Sequence, residues 1–205
     1  MPETEQARIM PVIERLAEYP EITLSVDTYR ASTARMAIDA GAHIINDVWG
    51  FQKDPELAGI AADTGAGVCA MHTGREREKA GDVIEDQGNF LKQSLKILQS
   101  AGVQDNRIVL DPGFGFAKDP FENISLLARL EELRDLGYPL LVGTSRKRFI
   151  GHFTGQEADN RDIGTAATSV VARMKGAAVF RVHDVASNRD ALAMTDAVIA
   201  DRGEI

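Results

Sequence analysis

The sequence predicts an α/β protein, and more specifically a barrel of the TIM (β/α)8 type, of which this chain carries six βα units. Three observations predict this fold. Short apolar runs alternate with segments of helical periodicity, polar residues follow every run, and a helix that ends at glycine precedes several runs. The chain has 205 residues, 44% of them hydrophobic, and no linker interrupts it, so we expect one domain over residues 1–205.

The runs and the helical patterns alternate in a regular order. Short aliphatic and β-branched runs predict strands that are buried on both faces, at 22–26, 43–45, 67–70, 107–110, 140–143 and 179–180. Apolar stripes at helical spacing predict helices at 5–18, 30–40, 82–101, 121–136, 159–175 and 188–200. Pro11 should start or kink the first of these helices, because proline has no backbone N–H to donate.

The polar residues that end the strands favour a barrel over an open sheet. A doubly wound sheet gathers its ligands near one switch point, whereas a barrel collects its active site from the carboxyl ends of many strands. Polar side chains follow all of the predicted strands here. A full barrel has eight units in about 250 residues, so we expect a barrel that lacks its first two βα units and is incomplete at the amino terminus.

Composition excludes several classes of function. The formal net charge of −8 argues against non-specific nucleic-acid binding. The longest apolar runs are too short to span a bilayer, and the charged first 20 residues do not form a signal peptide. The single cysteine, Cys69, cannot form an intrachain disulfide, which fits a reducing compartment. We therefore expect a cytoplasmic protein without a membrane or nucleic-acid partner, and the net charge does not exclude small anionic ligands.

Three segments carry the most specific chemical information. In the segment 110–116, Asp111 lies at the mouth of a predicted buried strand, where a carboxylate must be paired or solvated. The segment 143–150 contains three consecutive cations, which indicate an anion site, although a solvated surface run is the common alternative. In the segment 180–184, alternation places Arg181 and His183 on one face of the last strand, and anions often bind near the last two strands of such barrels.

Residues at the ends of the earlier strands are more ambiguous. Asp27 could bind a ligand or cap the following helix with nearly equal weight. Asn46 and Asp47 could form a turn, and Met71 could lie at the edge of the core. His72 is better explained as a structural residue than as a catalytic one.

Taken in order, these motifs resemble one family. Its members are the dihydropteroate synthases, which are pterin-binding barrels, and the resemblance runs from about residue 5 to about residue 200. It rests on the segments 25–28 (SVDT), 45–48 (INDV), 71–72 (MH), 110–116 (LDPGFGF), 145–147 (SRK) and 180–184 (FRVHD). It implies the barrel fold and a transferase that condenses p-aminobenzoate with dihydropterin-methyl diphosphate to give dihydropteroate and diphosphate, on the route to folate.

The resemblance also implies roles for individual residues. The pterin-binding residues would be Asp27, Asn46, Met71, Asp111, Phe116, Gly143 and Lys147. Ser145 and Arg146 would lie near p-aminobenzoate, and Arg181 and His183 would hold the diphosphate. Lys147, Arg181 and His183 would be the catalytic set, acting through orientation and stabilisation of the leaving group.

The family resemblance further implies a homodimer and Mg²⁺ as cofactor. The family's metal ligand lies on the missing first strand, so we expect no metal ligand in this chain. Two alternatives remain open. One is a methyltetrahydrofolate-binding methyltransferase domain, which Lys147, Arg181 and His183 disfavour because methyl transfer needs no such cation set. The other is a non-catalytic or impaired pterin-binding remnant.

Overall fold

Strands and helices alternate along residues 2–201 and 203, which are the residues that the computed structural model describes. The strands are β1 (Ser25–Asp27), β2 (Ile44–Asp47), β3 (Gly67–Met71), β4 (Ile108–Asp111), β5 (Leu140–Val142) and β6 (Ala177–Phe180). The α-helices are α1 (Pro2–Leu16), α2 (Ala31–Asp39), α3 (Leu57–Thr64), α4 (Val83–Ser100), α5 (Pro120–Ala128), α6 (Arg148–Thr154), α7 (Asp162–Met174) and α8 (Val185–Asp201). Short 3-10 helices occupy Asp105–Arg107, Leu130–Leu136 and Ala158–Asn160.

The sheet confirms the predicted α/β class and its six βα units. The order of the strands in the sheet is their order in the chain. β1 pairs with β2, β2 with β3, and β5 with β6, and each of these pairs is parallel. A helix follows every strand, as parallel pairing requires.

Two compact units make up the described chain. Unit 1 comprises the residues up to His72 together with Phe90–Leu110. Unit 2 comprises Thr73–Asn89 and the chain from Asp111 onward. That residues 1–205 form a single domain stays a prediction.

In unit 1, α1 packs through one face against β1 and α2. Ile13 of α1 is buried in a cluster with Leu24, Val26, Ala37 and Ala42. Of the two expectations for Pro11, a helix start is wrong, because α1 runs continuously from Pro2 to Leu16, and a kink stays a prediction. Pro11 lies on the exposed side, and the burial of Ile13 stabilises the turn that contains it.

In unit 2, the predicted helix 121–136 is divided at Arg129. A capping box of Asp119 and Glu122, with Pro120 in the first turn, starts α5, which ends at Ala128. The following segment is a 3-10 helix, and it buries Leu130 and Leu133. Leucines three residues apart lie on one face of a 3-10 helix, which has three residues per turn, so the spacing fits this helix better than an α-helix.

The expectation of strands buried on both faces holds for the middle of the sheet and is wrong at its ends. In β1, Ser25 and Asp27 are exposed, and in β6 Ala178 and Val179 are exposed. β1 and β6 are the first and last strands in the sheet order, so each has one neighbouring strand. Two short helices, α3 and α6, lie outside the predicted helices. Among the described residues, no helix combines the length and the apolar character that a membrane span needs.

Candidate active site

In unit 1, the parallel register brings the predicted residues to the carboxyl ends of three neighbouring strands. Asp27, the last residue of β1, is the register partner of Asn46 in β2. Asn46 in turn pairs with Cys69 of β3, two residues before Met71 at the end of that strand. Asn46 and Met71 are buried, whereas Asp27 is exposed. We call Asp27, Asn46 and Met71 the unit 1 group.

Asp47, beside this group, holds a turn of the backbone. Its two carboxylate oxygens accept from the backbone N–H of Trp49 at 2.9 Å and of Phe51 at 2.6 Å. The turn needs this support, because Gly50 and Phe51 both have positive φ, at 61° and 63°. Burial raises the pKa of the Asp47 carboxyl to about 6, and the two backbone donors oppose that rise.

The chain that follows Asp27 is held by α1. The buried Thr28 donates its hydroxyl to Glu5 at 2.6 Å, and the Arg30 guanidinium pairs with the same carboxylate. Thr28 N also donates to the Asn46 carbonyl at 3.0 Å, which continues the pairing of β1 with β2. Glu5 therefore restrains the loop that begins directly after Asp27.

In unit 2, Asp111 is a buried carboxylate with two different partners. It ends β4, and its side chain is 1% exposed. One oxygen accepts from Gly113 N at 2.7 Å, and the other accepts from Arg181 Nη2 at 2.7 Å. Burial raises the pKa of the Asp111 carboxyl, and the Arg181 guanidinium is the largest influence that lowers it. The carboxylate that the sequence places at a strand mouth is thus paired with a cation.

Lys147 lies against the segment that follows Asp111. Its ammonium donates to the Phe114 carbonyl and lies 4.3 Å from the centroid of the Phe116 ring. Arg75 contacts the Phe116 ring as well, with Cζ 4.7 Å from the centroid. Burial lowers the pKa of Lys147 to about 8, with Asp111 opposing the shift. With a pKa of about 8, the Lys147 amine is mostly protonated at pH 7 and loses its proton as the pH rises through about 8.

Gly143 allows Arg181 to approach Asp111. Gly143 directly follows β5, and a Cβ atom on it would lie 3.3 Å from Arg181 Nη2. Arg181 directly follows β6 and donates its backbone N–H to the Val142 carbonyl at 3.0 Å. A side chain at Gly143 would therefore crowd the guanidinium that pairs with Asp111.

Ser145 and His183 are joined by two hydrogen bonds. The Ser145 hydroxyl lies 2.7 Å from His183 Nδ1, and His183 N donates to the same hydroxyl at 3.1 Å. Ser145 is buried and His183 is exposed. Because Ser145 occupies Nδ1, Nε2 is the imidazole nitrogen that can hydrogen-bond a ligand. We call Asp111, Lys147, Arg181, Ser145 and His183 the unit 2 group.

A cavity of about 870 Å³ opens beside the unit 2 group. Its lining includes Ser145, Lys147 and His183, together with the further cations Lys118, Arg146 and Arg148. The cavity lies entirely within unit 2 and suits an anionic ligand.

Arg146, which the family resemblance places near p-aminobenzoate, is already paired with a carboxylate of this chain. Its guanidinium forms a bidentate pair with Asp162, at 2.9 and 2.8 Å. Its backbone has φ of 56°, and its N–H donates to Thr165 Oγ1 at 3.1 Å. Arg146 thus lines the cavity with a guanidinium that is already paired.

Sequence reasoning does not single out three residues of this region. Lys118 and Arg148 line the cavity, and Asn123 lines it from α5. The run of three cations that includes Arg148 is a signal for it. For Asn123 the sequence offers only its place one residue after the capping box, which is a signal for a helix start.

The described residues do not form a protein site for Mg²⁺. In the range 2–201 and at 203, no three His, Cys, Asp or Glu side chains come together in a way that could hold a metal ion. Asp111 is the one carboxylate of the unit 2 group, and a guanidinium and a backbone N–H occupy its oxygens. Mg²⁺ prefers several oxygen ligands in octahedral geometry, which this donor set does not provide.

Comparisons with known proteins agree with one another. A family model described as "Pterin binding enzyme" matches residues 1–183. The dihydropteroate synthase of Clostridium beijerinckii is 43% identical over 198 residues, covering 96% of this chain and 73% of that protein. The dihydropteroate synthase of Escherichia coli is 38% identical over 204 residues, covering 97% of this chain and 72% of that protein.

Solved structures give the same result. A Clostridium difficile dihydropteroate synthase in the presence of pteroic acid has a TM-score of 0.93 at 43% identity, covering 96% of this chain and 75% of that one. A Xanthomonas albilineans dihydropteroate synthase in complex with 7,8-dihydropteroate has a TM-score of 0.92 at 40% identity, covering 98% of this chain and 78% of that one. The same enzyme with 4-aminobenzoic acid has a TM-score of 0.92 at 41% identity, covering 97% and 72%. These likenesses confirm the predicted barrel-type α/β fold.

Proposed function

We propose that this chain, which belongs to the family of pterin binding enzymes, catalyses the reaction of its dihydropteroate synthase relatives. It is a transferase that joins p-aminobenzoate to a dihydropterin-methyl diphosphate and releases diphosphate. The C–O bond between the pterin methylene and the diphosphate breaks, and its electron pair leaves with the diphosphate. The lone pair of the aryl amine forms the new C–N bond, and the nitrogen loses one proton.

The single observation that carries this proposal is the pairing of Asp111 with Arg181. The carboxylate is 1% exposed, whereas the guanidinium is 44% exposed, so Arg181 is the partner that a ligand can displace or engage. A pterin edge offers adjacent N–H donors, and a carboxylate accepts two such donors in a bidentate pair. Asp111 would receive the pterin, and Arg181 would remain beside it to neutralise the diphosphate.

Lys147 would supply the complementary donor. An ammonium donates and never accepts, so it suits the carbonyl or a ring nitrogen of the pterin. Its contacts with the Phe114 carbonyl and the Phe116 ring support this role, because they hold the flexible side chain in one place. Phe116 would form an apolar wall of the pterin pocket.

For the unit 1 group, we propose the roles that the family resemblance implies. Asp27 and Asn46 would hydrogen-bond a pterin ring, and Met71 would form an apolar wall beside it. Asn46 and Met71 are both buried at the carboxyl ends of their strands, the positions at which the family resemblance implies pterin contacts. Gly143 would contribute by leaving room for Arg181.

Arg181 and His183 would hold the diphosphate as it leaves. The Ser145 hydroxyl engages Nδ1 of His183, which orients Nε2 as the second donor to the leaving group. A fixed hydrogen-bond donor that is directed at developing negative charge is worth roughly 100- to 1,000-fold in rate. No covalent nucleophile is needed, because orientation and stabilisation of the leaving group suffice.

The cavity in unit 2 would hold p-aminobenzoate. Ser145 and Arg146 would contact this substrate, and the neighbouring cation Arg148 would attract its carboxylate. Since Asp162 occupies the Arg146 guanidinium, Arg146 would contribute mainly by shaping the loop. Mg²⁺ would enter with the diphosphate, whose oxygens are the hard ligands that it prefers.

We also propose a cytoplasmic homodimer. Exposed apolar side chains on α7 and α8, among them Ile163 at 87% and Met194 at 68%, support self-association. Sedimentation equilibrium would test it, and a monomer at micromolar concentration would contradict it.

The decisive experiment measures diphosphate release with dihydropterin-methyl diphosphate and p-aminobenzoate. We expect release that depends on both substrates, with dihydropteroate as the second product. Pterin binding without release would favour the non-catalytic remnant. Binding of methyltetrahydrofolate in preference to the pterin diphosphate would favour the methyltransferase alternative.

A further inference from the structure

The loop 111–118, which runs from the last residue of β4 toward α5, has several of its backbone polar groups bound by side chains. Gln87 donates to the Pro112 carbonyl at 3.0 Å, Lys147 donates to the Phe114 carbonyl, and Lys79 donates to the Ala117 carbonyl at 3.0 Å. Asp111 accepts from Gly113 N at 2.7 Å. A loop held in this way has one preferred conformation.

The loop needs such support because its backbone is strained at Ala117. Gly113, Gly115 and Ala117 all have positive φ, at 65°, 78° and 51°. Ala117 has a Cβ atom and is therefore costly in this region of φ. A Cβ atom on Gly115 would lie 2.9 Å from Cδ of Lys147, so the loop passes very close to that side chain.

Asn123 is the residue that ties this loop to α5. It is 1% exposed. Its Oδ1 accepts from Gly115 N at 2.7 Å, and its Nδ2 donates to the carbonyls of Asp119 at 2.6 Å and Lys118 at 3.2 Å. The amide thus bonds to the middle and to the end of the loop at the same time.

Lys118 closes the loop from its other side. Its ammonium donates to the Gly113 carbonyl at 2.9 Å and lies 3.5 Å from the Phe116 carbonyl. These carbonyls lie on either side of Phe114 in the chain, and the Phe114 carbonyl accepts a hydrogen bond from the Lys147 ammonium. Lys118 and Asn123 together therefore restrain the positions of Asp111, of Phe116 and of the Phe114 carbonyl, which accepts from Lys147.

We infer that Asn123 and Lys118 are positioning residues for the proposed reaction, which hold the loop 111–118 in the conformation that aims Asp111 and Lys147 at the pterin. This inference rests on the proposed function and adds two residues to it. Neither residue needs to contact the pterin. Loss of either hydrogen-bonding side chain should let the strained loop relax and so misplace both pterin-binding groups.

The test compares Asn123→Leu and Lys118→Met with the wild-type protein. Leucine has the branched shape of asparagine and removes all of its side-chain hydrogen bonds, and methionine has a similar length to lysine and removes its ammonium. Asn188→Leu is the matched control, because Asn188 is also 1% exposed and bonds through both amide atoms, to Ser169 and Asp184. The two readouts are backbone hydrogen exchange of residues 112–118 without ligand and the calorimetric Kd for hydroxymethyl-dihydropterin.

We expect faster exchange in the loop for both variants and a Kd for the pterin raised roughly tenfold or more, since a lost buried hydrogen bond has effects of that size. Asn188→Leu should lower thermal stability comparably and leave the loop exchange and the pterin Kd unchanged.

The inference would be overturned if Lys118→Met showed the loop exchange rate and the pterin Kd of the wild type. Equal effects of Asn188→Leu and Asn123→Leu on these two quantities would also overturn it. If Asn123→Leu does not fold, Lys118→Met decides. A wild-type protein without pterin affinity would overturn the proposed function instead, and loop exchange would then decide whether these residues hold the loop.

Discussion

Asp47 in unit 1 and Asp111 in unit 2 are both buried carboxylates at the carboxyl end of a strand, yet they have different partners. Both oxygens of Asp47 accept from backbone N–H groups of a single tight turn. Asp111 accepts from one backbone N–H and from the partly exposed Arg181 guanidinium. Burial raises the pKa of both carboxyls.

The difference separates a structural carboxylate from one that is available to a ligand. The partners of Asp47 lie two and four residues further along the same turn and cannot leave without unfolding it. The Arg181 side chain can move to a ligand without breaking the fold, because its own backbone is held by Val142. A carboxylate is thus available for binding when one of its partners can exchange.

The largest expected effect is the loss of pterin binding in Asp111→Ala. The substitution removes the acceptor for the pterin donors and leaves Arg181 without its carboxylate, so we expect no detectable binding of hydroxymethyl-dihydropterin. A loss of about 1–3 kcal/mol for each unsatisfied buried donor is enough for this result. Calorimetry on the variant is the measurement, and circular dichroism serves as the control for folding. Wild-type affinity would remove Asp111 from the pterin site.

The next effect concerns Arg181, the exchangeable partner. Arg181→Gln should lower kcat roughly 100-fold, because the leaving diphosphate loses a fixed cation. The Kd for the uncharged hydroxymethyl-dihydropterin should change much less, since that ligand carries no diphosphate. Steady-state kinetics together with calorimetry separate the two effects. A variant that loses pterin affinity and retains kcat would show that Arg181 serves the ring and not the leaving group.

A smaller effect, and one of a different kind, is expected for Asp47. Asp47→Ala leaves two buried backbone donors of the Trp49–Phe51 turn without acceptors, so unfolding should require about 1–3 kcal/mol less free energy. Pterin affinity should stay within a few-fold of the wild type under conditions in which the variant is folded. Urea denaturation measures the first quantity and calorimetry the second. An Asp47→Ala protein that keeps its stability and loses the pterin would reverse the comparison.

The sequence predicts the order of strands and the strand-end residues well, because both depend on local patterns. Alternating apolar runs identify the strands, and polar residues directly after them identify Asp111 and Arg181. The pairing of these two residues joins positions 70 apart in the chain, so no local pattern contains it. The same holds for Asn123, whose contact with Gly115 depends on the path of a strained loop. The continuation of α1 through Pro11 and the end of α5 at Ala128 depend on the burial of neighbouring residues, which no local pattern contains.

The last prediction uses pH to separate the binding role of Lys147 from its effect on stability. Its pKa is lowered from 10.5 to about 8. If the ammonium donates to the pterin, affinity should fall as pH rises through about 8, up to tenfold per pH unit above it.

The free energy of unfolding should change in the opposite direction. A lowered lysine pKa means that the unfolded chain binds more protons than the folded chain between about pH 8 and 10.5, so the contribution of Lys147 to stability rises with pH across that window. Lys147→Arg keeps a cation at every accessible pH and should abolish both trends relative to the wild type. Calorimetric titrations and urea denaturation at pH 7, 8 and 9 measure the two quantities. Because a mere loss of folding at alkaline pH would lower affinity and stability together, only opposite trends assign the ammonium of Lys147 to the ligand.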